Sequence, residues 1–380
     1  MKQVARVLST YSADVMGVCS ALYELGGMTI IYDPSGCNST YTTHDEPRWY
    51  DMESMVFLCP LTEMDAVMGN DAKLIDDTIK AANELKPKFI SLVGAVIPML
   101  AGTDFKGIAR VIESRTGIPT IGFKTNGMHS YLTGANMAFE KVAERFCKQD
   151  IVKNNSDKTR INLLGVTPLD FSITGTVEKI KEIFDDNDIE ITSTFAMGST
   201  FEEIESAGNA DVNVVVSSCG IGVAKKLKEM FGIPYVCGVP MGEKFAGALI
   251  EGVKSKNADA YSILEGQYDN YDSAKTIIIG EEIMSKSMAK MLEYDFDMKD
   301  IGIITPFEET NTIFHEDAIE KVIKNAKLVI ADPLYRRILP KNSDIRFIEL
   351  PHEAYSGRIY RSQIPVMAGK EFLEWFTKKA

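Results

Sequence analysis

Six cysteines, at positions 19, 37, 59, 147, 219 and 237, and four histidines carry much of the chemistry written in this chain. No two cysteines form a CxxC pair, so a paired-cysteine zinc site is not present in the sequence. Their surroundings divide them. Cys37 ends Tyr32-Asp33-Pro34-Ser35-Gly36-Cys37, directly after the apolar segment Met28–Ile31. A Pro/Gly turn at a strand end holds a thiolate near exposed backbone amides, which suits a soft metal or an iron–sulfur ligand; a small cysteine buried in a turn is the plainer reading. Cys59, in Leu58-Cys59-Pro60, follows a second apolar segment, Met55–Leu58. Cys219 lies in Val216-Ser217-Ser218-Cys219-Gly220-Ile221-Gly222, between a strand and a helix start. That position is expected to lower its thiol pKa and to favour anion or metal ligation. His352 follows the last apolar strand, in Leu350-Pro351-His352-Glu353, as either a hydrogen-bonded structural residue or an imidazole ligand. Cys19, Cys147 and Cys237 fall within helix or strand patterns and read as core.

The elements that must position these residues repeat one pattern: an apolar strand, a Gly/Ser/Pro loop, then an amphipathic helix. Phe89–Val93 leads to a helix over Asp104–Arg115, closed by Gly117. Asp211–Val216, rich in β-branched valines, leads to a helix over Val223–Met230, closed by Gly232. Both continue into a Gly-Ile-Pro segment that begins another strand, at 117–119 and 232–234. Thr276–Ile279, Ile301–Ile304, Leu328–Ala331 and Asp344–Glu349 repeat the alternation, with helices over Glu281–Leu292 and Glu316–Asn325. Alternating strands and helices predict an α/β fold with parallel sheets flanked by helices. Polar stretches at 148–159 and 266–275 read as linkers and predict three Rossmann-like domains, at 1–153, 154–268 and 269–380. Ligands in such sheets bind beyond the carboxyl ends of the strands, which directs attention to the loops after Tyr32, Val93, Phe123, Val216, Val239 and Glu349.

Composition removes several function classes. Among 380 residues, 41 Lys and Arg stand against 54 Asp and Glu, for a net charge of −13, and no basic block occurs, so nucleic acid is not an expected partner. The apolar run Phe89–Gly102 is too short and is interrupted by Pro98, so no membrane span is expected. With no signal-peptide pattern, a cytoplasmic protein is expected, in which the cysteines are not a disulfide framework. The phosphate-binding loop ending in Gly-Lys-Ser/Thr, the zincin HExxH helix and the GxSxG nucleophile elbow are all absent. Gly220-x-Gly222 is only the beginning of a dinucleotide loop, because Lys225 stands where the third glycine belongs.

Taken in order, the loops resemble those of the nitrogenase component 1 family, which includes molybdenum–iron protein subunits, cofactor-assembly scaffolds and dark-operative tetrapyrrole reductases. The resemblance is carried by Pro34-Ser35-Gly36-Cys37, by Leu61-Thr62-Glu63-Met64-Asp65 through Gly69, and by Ile97-Pro98-Met99-Leu100-Ala101-Gly102. Ser218-Cys219-Gly220, Gly232-Ile233-Pro234 and His352 with Tyr355-Ser356-Gly357 complete it. It implies a catalytic component that receives low-potential electrons from a separate ATP-dependent iron–sulfur reductase through an iron–sulfur cluster at a subunit interface. It further implies a substrate reduced in an interdomain cleft; the alternative within the same family is a scaffold that carries a metallocluster during assembly without turnover. Cys37 matches the family's interface-cluster ligand, while Cys219 and His352 match the cysteine and histidine that hold a second metallocluster or a tetrapyrrole in the cleft. The family's other interface cysteines are missing here, near Ser12 and at Ala95–Val96. Cys37 and Cys59 from each of two subunits would then supply four thiolates to one 4Fe–4S cluster, in a homodimer or with a paralogous subunit in a heterodimer or heterotetramer.

Overall fold

The computed structural model describes residues 6–11, 13–38, 41, 45–150, 158–256, 262–306, 315–341 and 343–380, with only the backbone given for Ser35, Cys37 and Ser262. Among the described residues, twelve strands form three separate parallel sheets. The first contains β1 (Met28–Asp33), β2 (Met55–Pro60), β3 (Ile90–Gly94) and β4 (Thr120–Gly122). The second contains β5 (Thr159–Val166), β6 (Ile189–Ala196), β7 (Val212–Val215) and β8 (Tyr235–Cys237). The third contains β9 (Thr276–Ile279), β10 (Ile301–Ile304), β11 (Leu328–Ala331) and β12 (Arg346–Glu349). The expected α/β architecture of parallel sheets flanked by helices is therefore what the chain adopts.

All three sheets share one strand order: β2-β1-β3-β4, β6-β5-β7-β8 and β10-β9-β11-β12. The order reverses between the first and third strands of each sheet. At such a switch point the flanking crossovers go to opposite faces and leave a crevice at the carboxyl edge. The sequence dictates these buried strands simply. Val212, Val214 and Val215 are fully buried, and each apolar side chain removed from water contributes about 1.5–3 kcal/mol.

The expected helices are present with shifted ends. Asp104 is the N-cap of Phe105–Thr116, Glu281 is the N-cap of Glu282–Phe296, and the helix after β7 runs Ile221–Phe231. The segment after β3, expected as a loop, contains a six-residue helix, Val96–Ala101. Pro98 is tolerated there because a first-turn N–H has no intrahelical acceptor to lose. The three sheet units are joined by packing as well as by chain. Helix Asp14–Leu22 lies against Tyr131–Phe146, which in turn packs on Ile221–Phe231, and the last helix, Gly369–Lys379, packs on Thr176–Asp185. No helix among the described residues is long and apolar enough to cross a membrane.

Candidate functional site

The second and third sheets bring their switch points to one buried polar junction. After β5 the chain turns through Thr167 into Pro168–Phe171, which places Asp170 at the carboxyl edge, 1% exposed. After β7, Ser217–Gly220 makes a tight turn beside it. Gly165 and Gly220 let the two loops touch: a Cβ on Gly220 would lie 2.7 Å from the Leu164 carbonyl oxygen, and one on Gly165 would lie 2.9 Å from that of Ser217. Ser217 Oγ donates to Asp170 Oδ2 at 2.6 Å, Thr167 Oγ1 donates to the same oxygen at 3.0 Å, and the Tyr11 phenol donates to Oδ1. The third sheet adds Glu281 after β9. Its Oε1 accepts from the Ser218 amide at 2.8 Å, while Oε2 caps its own helix through the Met284 amide at 2.9 Å.

Asp170 and Glu281 therefore face one interior from two sheets. Burial raises both carboxyl pKa values, and for Glu281 the charge of Asp170 raises it further. Cys219 shares this environment at 1% exposure, its sulfur 3.4 Å from Ser217 Oγ and 3.8 Å from the Gly165 carbonyl oxygen. Burial, then the charge of Asp170, hold its thiol well above the ordinary range. This corrects the expectation of a lowered pKa. The residue lies in a 3-10 turn before the helix, enclosed by acids, and desolvation outweighs any stabilisation from the helix dipole.

His352 approaches from the loop after β12. Asp332, at the end of β11, holds that loop: its Oδ2 accepts from the His352 amide at 2.9 Å and from Ser356 Oγ at 2.5 Å, and its Oδ1 accepts from the Leu334 amide at 2.9 Å. The imidazole Nδ1 accepts from the Ala354 amide at 3.2 Å, which leaves the ring proton on Nε2. Nε2 is buried and has no hydrogen-bond partner among the described residues. Burial lowers the ring's pKa to about 4, so the ring is neutral at physiological pH. The Tyr11 ring lies 5.8 Å from the imidazole centroid and 6.4 Å from that of Tyr355. One chain of contacts thus runs Cys219–Ser217–Asp170–Tyr11–His352, joining the two cleft residues expected from the sequence.

The first sheet is different. Cys37 lies on the single turn Ser35–Asn38 straight after β1, with its side chain outside the described set. Asp33, 1% exposed, accepts from Asn38 Nδ2 at 2.6 Å through Oδ2, and its Oδ1 has no partner among the described residues. Burial raises its carboxyl to about 6. Cys59 pairs in register with Tyr32 on the edge strand β2 and packs into an apolar cluster with Leu61, Leu74 and Phe105. Burial pushes its thiol up to about 11. As folded, Cys59 is turned into this core, and a place in the expected four-thiolate interface cluster would require it to lose its proton and leave that packing. Ala95 caps the helix that follows β3 and brings no sulfur, and Ser12 lies outside the described residues. Among the described residues no group of three or more His, Cys, Asp and Glu is placed to hold a metal ion.

In kind, the Cys219 sulfur and the partnerless His352 nitrogen fit a cleft group taking one sulfur and one imidazole. As folded, both carry protons, and Tyr11 stands between Asp170 and His352. Sequence reasoning missed Tyr11, Asp170 and Asp332, and read Glu281 only as a helix start. The apolar run Ile161–Val166 immediately before Asp170 was the available signal for a further switch-point strand.

The family model described as nitrogenase component 1 type oxidoreductase matches residues 14–332. The chain is 24% identical over 287 residues to the nitrogenase iron-molybdenum cofactor biosynthesis protein NifE of Clostridium pasteurianum, covering 73% of this chain and 59% of that protein. It is 25% identical to the nitrogenase molybdenum-iron protein alpha chain of the same organism, covering 54% and 40% respectively. A light-independent protochlorophyllide reductase polypeptide of Ephedra altissima is 20% identical, covering 61% and 52%. The chain thus spans about half the length of these curated relatives. A solved structure titled "Nitrogenase Cp1 at pH 6.5" superimposes with a TM-score of 0.67 at 14% identity, covering 100% of this chain and 93% of that one, a likeness of fold. With residues 14–332 matched and the fold shared, the chain belongs to the nitrogenase component 1 type oxidoreductase family.

Proposed function

We propose that this chain is the cleft-bearing component of a nitrogenase-like two-component reductase, served by a separate ATP-dependent iron–sulfur reductase. The observation that carries this reading is the buried, partnerless Nε2 of His352 at the junction of two switch points. A buried polar atom without a partner among the described residues costs stability, and this one ends the chain of contacts that begins at Cys219, which supports a place where a ligand completes the set. Cys219 and His352 would hold the cleft group, which supplies the electron-accepting chemistry when bound. The rest is the work of this chain. Asp332 fixes the His352 loop, Glu281 fixes the Ser218 turn, and burial raises the carboxyl pKa of both Asp170 and Glu281, which favours holding a proton between them.

A second reading, a carrier of a metallocluster during assembly, is supported by the NifE likeness and by a Cys219 thiol that is protonated in the folded chain. The two are separated by turnover. Protein prepared without oxygen and reconstituted with iron and sulfide is assayed for iron, for acid-labile sulfide and by electron paramagnetic resonance. It is then mixed with a family iron–sulfur reductase and ATP. Bound iron with ATP-dependent substrate consumption supports the first reading, bound iron without it supports the second, and iron-free protein overturns both. In either, the chain's partner is a second copy or a paralogue, and Cys37 is the thiol left to this chain at the family's interface position.

A further inference from the structure

The N-terminal segment closes the site just described. The Val7 amide and the backbone and side chain of Arg6 all bind Glu316, at 2.7, 2.6 and 3.1 Å, and a second guanidinium nitrogen reaches Glu320 at 3.0 Å. Thr10 donates its amide to the Ala354 carbonyl at 2.7 Å, two residues from His352. Tyr11 accepts from the Tyr131 amide at 3.1 Å through its carbonyl, and its phenol reaches across to Asp170. Six residues thus tie the third sheet unit to the second, and the ring they deliver is 4% exposed between Asp170 and His352.

Two observations mark this strap as movable rather than as core. Its outer tie is partly in water: the side chains of Arg6, Glu316 and Glu320 are 28%, 20% and 35% exposed, and ion pairs in such settings are worth little. Beneath it lies a cavity of about 140 Å³, lined by Ser9, Thr10, Ser20, Glu46, Tyr131 and Leu169. A space of that size accepts a six-membered ring. Ser9 and Thr10 of the strap line that space, so the strap borders it directly.

We propose that Arg6–Tyr11 is a gate over the junction: with Tyr11 between Asp170 and His352 the site is shut, and withdrawal of the ring toward the neighbouring cavity admits the ligand. This rests on the reading that ligand meets Cys219 and His352. The shut state agrees with the groups around it, since the His352 proton is on Nε2 and the Cys219 sulfur is turned to protein partners.

The test uses the full chain without metal or reductase, so it is independent of whether the functional reading holds. Alkylation by iodoacetamide is followed residue by residue by mass spectrometry under native conditions. The variant E316Q/E320Q loosens the outer tie far from the junction, and Y11A removes the bolt. Both are expected to speed labelling of Cys219 by about tenfold, through a larger open fraction, while labelling of Cys237, fully buried in β8, stays at the wild-type rate. Unchanged Cys219 labelling in E316Q/E320Q overturns the gate, whether or not Y11A folds. So does a parallel rise at Cys237, which would mean general loosening of the chain.

Discussion

The first sheet and the junction of the second and third share strand order, yet differ in what their switch points contain. At the first, Asp33 has one side-chain donor, and Cys59, on the neighbouring strand, is absorbed into an apolar cluster. At the junction, Asp170, Glu281 and Asp332 each gather two or more donors and surround Cys219 and His352. The topology makes three crevices, and the residues that follow each strand decide what polar groups each one holds. A parallel sheet supplies position, while buried carboxyl groups with fixed donors supply a chemical environment.

The largest effect that probes this contrast comes from the two aspartates. Asp332→Ala strips the acceptor from the His352 and Leu334 amides and from Ser356, and is expected to cost about 3 kcal/mol or more in urea unfolding. Asp33→Asn keeps the shape, removes a buried carboxyl with one bare oxygen, and is expected to change stability by less than about 1 kcal/mol. Equal costs would erase the distinction between the two regions.

Next is pH. Asp170 and Glu281 hold protons more tightly folded than unfolded, so their contribution is fully present below the ordinary carboxylate range and declines as pH rises above it. Glu281→Gln is expected to flatten that decline, which reaches at most about 1.4 kcal/mol per pH unit for each proton held. His352 acts with the opposite sign. Its ring is harder to protonate folded than unfolded, so stability is present above pH ~6.5 and falls as pH drops toward about 4. His352→Phe should remove that acid-side loss, read from thermal midpoints between pH 4 and 8.

A smaller effect is expected at Cys59. Replacement by Ala should cost about 1 kcal/mol as a core truncation, with Val closer to neutral, and neither should alter the iron content of reconstituted protein. Lost iron in Cys59→Ala would instead make Cys59 a ligand beside Cys37.

Much of the architecture was legible because periodicity and turn chemistry are local. Thr276–Ile279, Ile301–Ile304 and Leu328–Ala331 form strands with the bounds expected from their β-branched runs, and Gly117 and Gly232 end their helices in the left-handed conformation. Cys219 and His352 were legible as loop residues at strand ends. Their environment was not. The pairing of Asp170 with Glu281 joins distant positions of the chain on different sheets, and no spacing rule reaches that far. The expectation at Cys219 erred for the same reason: a helix start is visible in sequence, whereas the acids that override it arrive from elsewhere. Tyr11 carries no motif at all, and its role exists only because strap and junction meet in space.

Whether the junction, and not the first sheet, holds the ligand is read directly from iron and acid-labile sulfide. Both are measured on the anaerobically reconstituted wild type and on Cys219→Ala, His352→Ala and Cys59→Ala at matched folded fraction. Iron in the cleft is expected to be lost from the first two variants and retained by the third. Iron per chain that is as high in both junction variants as in the wild type, or that never binds the wild type, would contradict the assignment of the ligand to the junction.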